Sequence, residues 1–76
     1  MANVNELNEK LSRVKMELQQ AIDLSVEIRH NNPQVKTEIT HIWEEFLGHF
    51  LGYIKKRGKE TRENLLADIS WTRIRL

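Results

Sequence analysis

Apolar residues recur along the first part of the chain at alternating steps of three and four. Val4, Leu7, Leu11, Val14, Leu18, Ala21, Ser25 and Ile28 mark those steps, and all but Ser25 are apolar. Such spacing keeps one stripe on one side of a helix and forms the a/d seam of a coiled coil. Asn8, Glu9, Ser12, Arg13, Lys15, Gln19 and Gln20 lie between the seam positions and make a solvated face. Asn3 followed by Glu6 resembles a capping box, in which side chains meet amide groups that have no partner inside the helix. Asn31-Asn32-Pro33 joins turn-forming residues to a proline that disfavours helical geometry in the residue before it. The pattern predicts a first helix over about 3–30.

A second helix is predicted over about 33–57, with Asn32 as its N-cap and Pro33 at its first position. At about 100° per residue, Val35, Ile39, Ile42, Trp43, Phe46, Leu47, Phe50, Leu51, Tyr53 and Ile54 fall within half a circle. The other half carries His41, Glu44, Glu45, Gly48 and Gly52. Lys55-Lys56-Arg57-Gly58 reads as a stop, with cations in the last turn and a glycine suited to the position after it. Leu65, Leu66 and Ile69 suggest a short third helix over about 60–70, begun at Glu60 or Thr61, with a tail at 71–76. Trp71 and Ile74 leave that tail readable as extended chain.

Two long helices on a short connection predict an antiparallel, coiled-coil-like helical hairpin. A hairpin buries one stripe of each helix, whereas the second helix offers an apolar arc about 180° wide, beyond the roughly 100° a surface helix needs. The expected fold is therefore all-α, a long hairpin plus a short C-terminal helix, dimerising into a four-helix-type bundle. Trp43, Leu47, Leu51 and Ile54 form the expected self-association face. A monomeric three-helix bundle, with the third segment folded back on the aromatic residues, is the alternative.

Length points the same way. One domain is the most that 76 residues allow, and a core of that size gives only a few kcal/mol without a staple. The chain has no cysteine, which excludes disulfides and thiolate metal sites. No basic segment followed by an apolar run opens the chain, so no signal peptide is expected. Glu44, Glu45 and His49 interrupt the most apolar stretch, which is too short and too charged for a bilayer. A soluble, cytoplasmic protein is the resulting expectation.

Net charge is only +1, but it is unevenly spread. Glu38, Glu44 and Glu45 face only Lys36 in the front of the second helix, while Lys55, Lys56, Arg57, Lys59, Arg62, Arg73 and Arg75 outnumber Glu60, Glu63 and Asp68 behind it. The basic end, with Trp71, is the expected partner-binding surface. Cations there can meet an acidic protein surface or phosphates, and Trp71 can stack on a base. Nucleic-acid proteins of this size usually carry more net positive charge. Gly48 and Gly52 each cost ~1 kcal/mol against alanine inside a helix, which suggests either close approach of another backbone on that side or, equally, a locally flexible or bent helix. His41, Glu45 and His49 stand one turn apart, a spacing that can hold a metal, but a solvated polar face is the preferred reading and no metal site is expected. No nucleophile elbow, phosphate loop or carboxylate pair coheres into a catalytic site, and no cofactor is expected. The sequence thus predicts a small non-enzymatic regulator or adaptor that binds itself and another protein, with no membrane span. Nucleic-acid binding is one alternative function, and a structural coiled-coil subunit of a larger assembly is another.

Overall fold

The computed structural model describes residues 1–74, and among these it contains helices and turns but no strand. Helix α1 spans Val4–Asn31, a 3₁₀ turn spans Pro33–Val35, α2 spans Lys36–Thr61 and α3 spans Leu65–Asp68. The chain divides into two compact units, Met1–Ile39 and Thr40–Leu76, with the division inside α2.

In the first unit, both ends of α1 are closed by asparagine. Asn3 is extended (φ −140°, ψ 172°), and its Oδ1 accepts from the Glu6 amide at 2.8 Å. Glu6 stands in the first turn, where the helix macrodipole favours a negative charge. At the other end the Asn32 amide donates to the Ile28 carbonyl at 2.8 Å, and Arg29 and His30 occupy the last turn. Asn32 then opens the next element: its Oδ1 accepts from the Gln34 amide at 3.2 Å. Its φ of −144° and ψ of 85° are the non-helical geometry a following proline imposes. The sequence expectation of Asn32 as cap and Pro33 at the first position is met, but the first turn tightens to 3₁₀ before the α-helix proper begins.

The end of α1 packs on that 3₁₀ turn. Leu18, Ala21, Ser25, Val35 and Ile39 are half-buried. Ser25, the polar residue on the seam, donates its hydroxyl to the Ala21 carbonyl at 2.7 Å. That bond turns the hydroxyl back onto its own helix, so the seam remains continuous.

In the second unit, α2 carries an aromatic row. The Trp43 and Phe46 rings meet edge to face at 5.9 Å, and Phe46 stacks on Phe50 at 6.4 Å. Steps of three and four residues place these rings on one face, as the spacing requires.

The C-terminal boundary of α2 corrects the sequence reading. The helix runs through Gly58 to Thr61, so Gly58 does not terminate it. Arg57 and Glu60 pair at 3.1 Å across the extra turn. Thr61 closes the helix, donating its hydroxyl to the Arg57 carbonyl at 2.7 Å and accepting from the Glu63 amide at 3.3 Å. The left-handed residue is Arg62, with φ at 60°. Gly58 serves a different need: a Cβ there would sit 2.9 Å from the Glu63 carbonyl oxygen, where the chain turns back. Arg62→Gly should therefore raise the unfolding free energy by about 1 kcal/mol, since glycine bears no penalty at positive φ. Gly58→Ala should lower it instead, because the added Cβ would press on the Glu63 carbonyl oxygen, and thermal melts followed by circular dichroism would show the opposite signs.

The third helix is also corrected. It is a single turn, Leu65–Asp68, capped by Asn64, whose Oδ1 accepts from the Ala67 amide at 3.1 Å. Glu60 and Thr61 belong to α2, and Ile69 is extended at φ −77°, ψ 128°. A turn follows in which the Arg73 amide donates to the Ser70 carbonyl at 3.1 Å.

Candidate interaction surfaces

Among the described residues no side chain is fully buried. The apolar stripe of α1 remains open at Leu7 (56%) and Leu11 (55%), and that of α2 at Leu47 (48%) and Phe50 (53%). Asn3 caps α1 and Asn32 caps the 3₁₀ turn that leads into α2, so the local chemistry is in place while the burial is not. Helices in water draw most of their stability from packing an amphipathic face.

The four expected self-association residues share one face of α2. Trp43 and Ile54 are half-buried, and Leu47 and Leu51 are exposed between them. The stripe of Ile39, Ile42, Phe46 and Phe50 runs roughly 90° around the helix from it, at about 100° per residue. One helix thus carries two adjacent apolar faces, a width that one partner helix cannot cover.

Gly48 and Gly52 are both within α2, and a Cβ at either would meet nothing within 4 Å. Nothing inside the described chain therefore uses the space the glycines leave. Gly48→Ala with Gly52→Ala should raise α2 helicity, at ~1 kcal/mol per site. If another backbone docks there, the same pair should weaken that association. Circular dichroism and solution mass, measured on one double variant, read the two effects separately.

Lys55, Lys56, Arg57 and Lys59 occupy the last two turns of α2, with Arg62 at the left-handed position just after it. All five side chains are exposed. Arg57 shares its charge with Glu60, leaving the other four cations without an ion pair among the described residues. Exposed pairs of this kind contribute between 0 and about 1 kcal/mol, so Arg57 stays available to a stronger anion. A shallow cleft of about 370 Å³ lies beside the cluster, lined by Ile54, Lys55, Gly58, Lys59 and Leu66 among others. Ile54 and Leu66 give it an apolar floor, and Lys55, Lys59, Arg62 and Glu63 bring charges of both signs to its lining.

That floor was not foreseen from the sequence. It depends on the reversal at Arg62, for which no sequence signal stands out; only Asn64 before Leu65-Leu66 hints at a new helix start. Trp71 is 66% exposed and Arg73 is exposed in the following turn. Arg75, the last member of the expected basic surface, lies outside the described residues. His41, Glu45 and His49 are exposed, and among the described residues no three acidic or histidine side chains gather as metal donors.

Among the described residues no helix is long and apolar enough to cross a membrane. No known protein family matches the chain, and none of the curated proteins or solved structures compared with it shows significant similarity.

Proposed function

We propose that this protein is a small non-enzymatic, cytoplasmic regulator or adaptor that acts as a helical homo-oligomer and binds another protein through its basic end. One observation carries the reading: two long helices present exposed apolar stripes, and none of the described side chains is fully buried. Full burial of a leucine or phenylalanine is worth about 1.5–3 kcal/mol, so covering these stripes is the largest stabilisation open to the chain.

In this reading, Leu7, Leu11, Val14 and Leu18 of α1 pack antiparallel on Ile39, Ile42, Phe46 and Phe50 of α2. Trp43, Leu47, Leu51 and Ile54 then meet a second copy, which completes a four-helix bundle. The cluster at 55–62, with Trp71 and Arg73, stays outside that core and covers an acidic surface on a larger protein. The action is occlusion, which needs shape and charge but no catalytic group.

A second reading rests on a specific observation too: five exposed cations between Lys55 and Arg62, together with the exposed Trp71, also suit a nucleic-acid backbone. Light scattering after size exclusion, with and without a mixed-sequence duplex at low salt, tests both. A dimer that ignores the duplex supports the protein-binding reading. A complex that dissolves as salt rises moves the function to nucleic acid. Species larger than a dimer favour a structural subunit of an assembly.

A further inference from the structure

α2 ends at Thr61 although its sequence does not demand an end there. Residues 59–69 contain neither glycine nor proline, so every position from Lys59 to Ile69 can take helical geometry. The chain nevertheless reverses at Arg62, whose φ of 60° lies in the left-handed region that strains a side chain.

The groups that hold the reversal are local. The Thr61 hydroxyl accepts from the Glu63 amide, and the Asn64 side chain accepts from the Ala67 amide. Gly58 leaves room for the Glu63 carbonyl oxygen, which would lie 2.9 Å from a Cβ at that position. Within residues 50–69 only Ile54, Gly58 and Leu66 are half-buried, and all three line the same cleft. The C-terminal end of the apolar stripe is thus covered by residues of its own chain. Opposing that cover are the left-handed Arg62 and the helical bonds forgone at 62–64.

We infer that Arg62 is a hinge with two positions. In the closed position, the one this structure holds, Glu63–Leu66 fold back as a strap over Ile54 and Gly58. In the open position α2 continues as helix through Ile69 and is about 12 Å longer, at ~1.5 Å per residue. Leu65 and Ile69 then join the arc of Trp43, Leu47, Leu51 and Ile54, at about 100° per residue. Leu66 moves about 18 Å along the axis from Ile54, and the cleft is lost. Leu65 is 62% exposed in the closed position, so little burial holds it back. Both positions lie within the second compact unit, and the hinge does not depend on what covers the stripe. A binder that lies along the whole stripe meets more apolar surface when the hinge is open and draws it open. One seated in the cleft holds it closed.

Nuclear magnetic resonance of the labelled full chain tests the hinge through the Cα shifts and amide exchange of Glu63 and residue 64. Gly58→Ala takes the room from the Glu63 carbonyl and should move the open-to-closed ratio on the order of tenfold towards open. Adding Thr61→Val, which deletes the hydroxyl bonded to the Glu63 amide, should move it about fivefold further. In that double variant both shifts should become helical and both amides should exchange more slowly than in wild type. Arg62→Gly should act the other way and keep the wild-type shifts, since glycine is at ease at positive φ and weak in a helix. Asn64→Ala is a second route to opening that leaves Gly58 untouched: it removes the α3 cap and favours the longer helix. A Glu63 shift that stayed non-helical in both the double variant and Asn64→Ala would overturn the hinge. Unordered shifts through residues 63–69 would mean that the strap detaches without extending α2, and would overturn it too.

Discussion

Replacing Leu47 and Leu51 together with glutamate is expected to leave the protein monomeric and its helices partly melted. In the single chain these residues are 48% and 44% exposed, so about half of each side chain still has water to shed. Burial of a whole leucine contributes about 1.5–3 kcal/mol. Half of that, for two residues on each of two copies, comes to about 3–6 kcal/mol. At ~1.4 kcal/mol per decade, the dissociation constant should rise on the order of 10²–10⁴-fold. Carboxylates in the seam add their own desolvation cost, so the upper part of that range is the expectation. Light scattering over a concentration series reads the mass, and circular dichroism reads the helix content. A control change on the solvated side of α1, Gln19→Glu, should leave both unchanged. A double variant that stayed dimeric would remove Trp43, Leu47, Leu51 and Ile54 from the interface.

The two long helices were legible because local chemistry decides where they begin. Asn3 and Asn32 are caps by side-chain type, and Pro33 fixes the backbone around it wherever the chain goes next. Helix periodicity likewise placed the apolar stripes, since 3.6 residues per turn leaves little choice of face. The end of α2 was not legible, for the opposite reason. Gly58 has the composition of a stop, yet it answers the approach of the Glu63 carbonyl from a reversal four residues on. Arg62 takes the left-handed geometry in spite of its side chain, with the Thr61 hydroxyl bonded to both neighbouring segments. A local pattern cannot announce a residue held in place by later chain. The cleft between Ile54 and Leu66 inherits that difficulty, because its floor exists only once the reversal is made.

The candidate site divides in the same manner. The basic cluster was visible as charge, and the structure leaves all five of its cations at 55–62 exposed. What charge alone does not specify is the polymer it meets. An acidic protein surface and a phosphate backbone attract the same lysines, and they differ in how strongly salt competes.

Reversing charge at Lys56, Lys59 and Arg62 is therefore expected to weaken partner binding while leaving mass and helix content as they were. Lys55 is left alone because it borders the Trp43–Ile54 stripe, and Arg57 because its reversal would set it against Glu60. Lys56 and Lys59 lie on α2 outside the Trp43–Ile54 stripe, and Arg62 follows at the left-handed position after the helix. Against an acidic protein surface, three rim charges should cost about 10- to 100-fold in affinity, mainly through a slower association rate. Against a duplex the loss should be similar at low salt but fade as salt rises. The slope of log affinity on log salt should then shrink by about 0.9 for each phosphate contact removed, close to three units in all. Titrating wild type and triple variant against a duplex, and against a captured protein partner, at two salt concentrations separates the cases. A triple variant that bound both as tightly as wild type would move the recognition surface away from the end of α2. The exposed Trp71 would then be the next residue to replace.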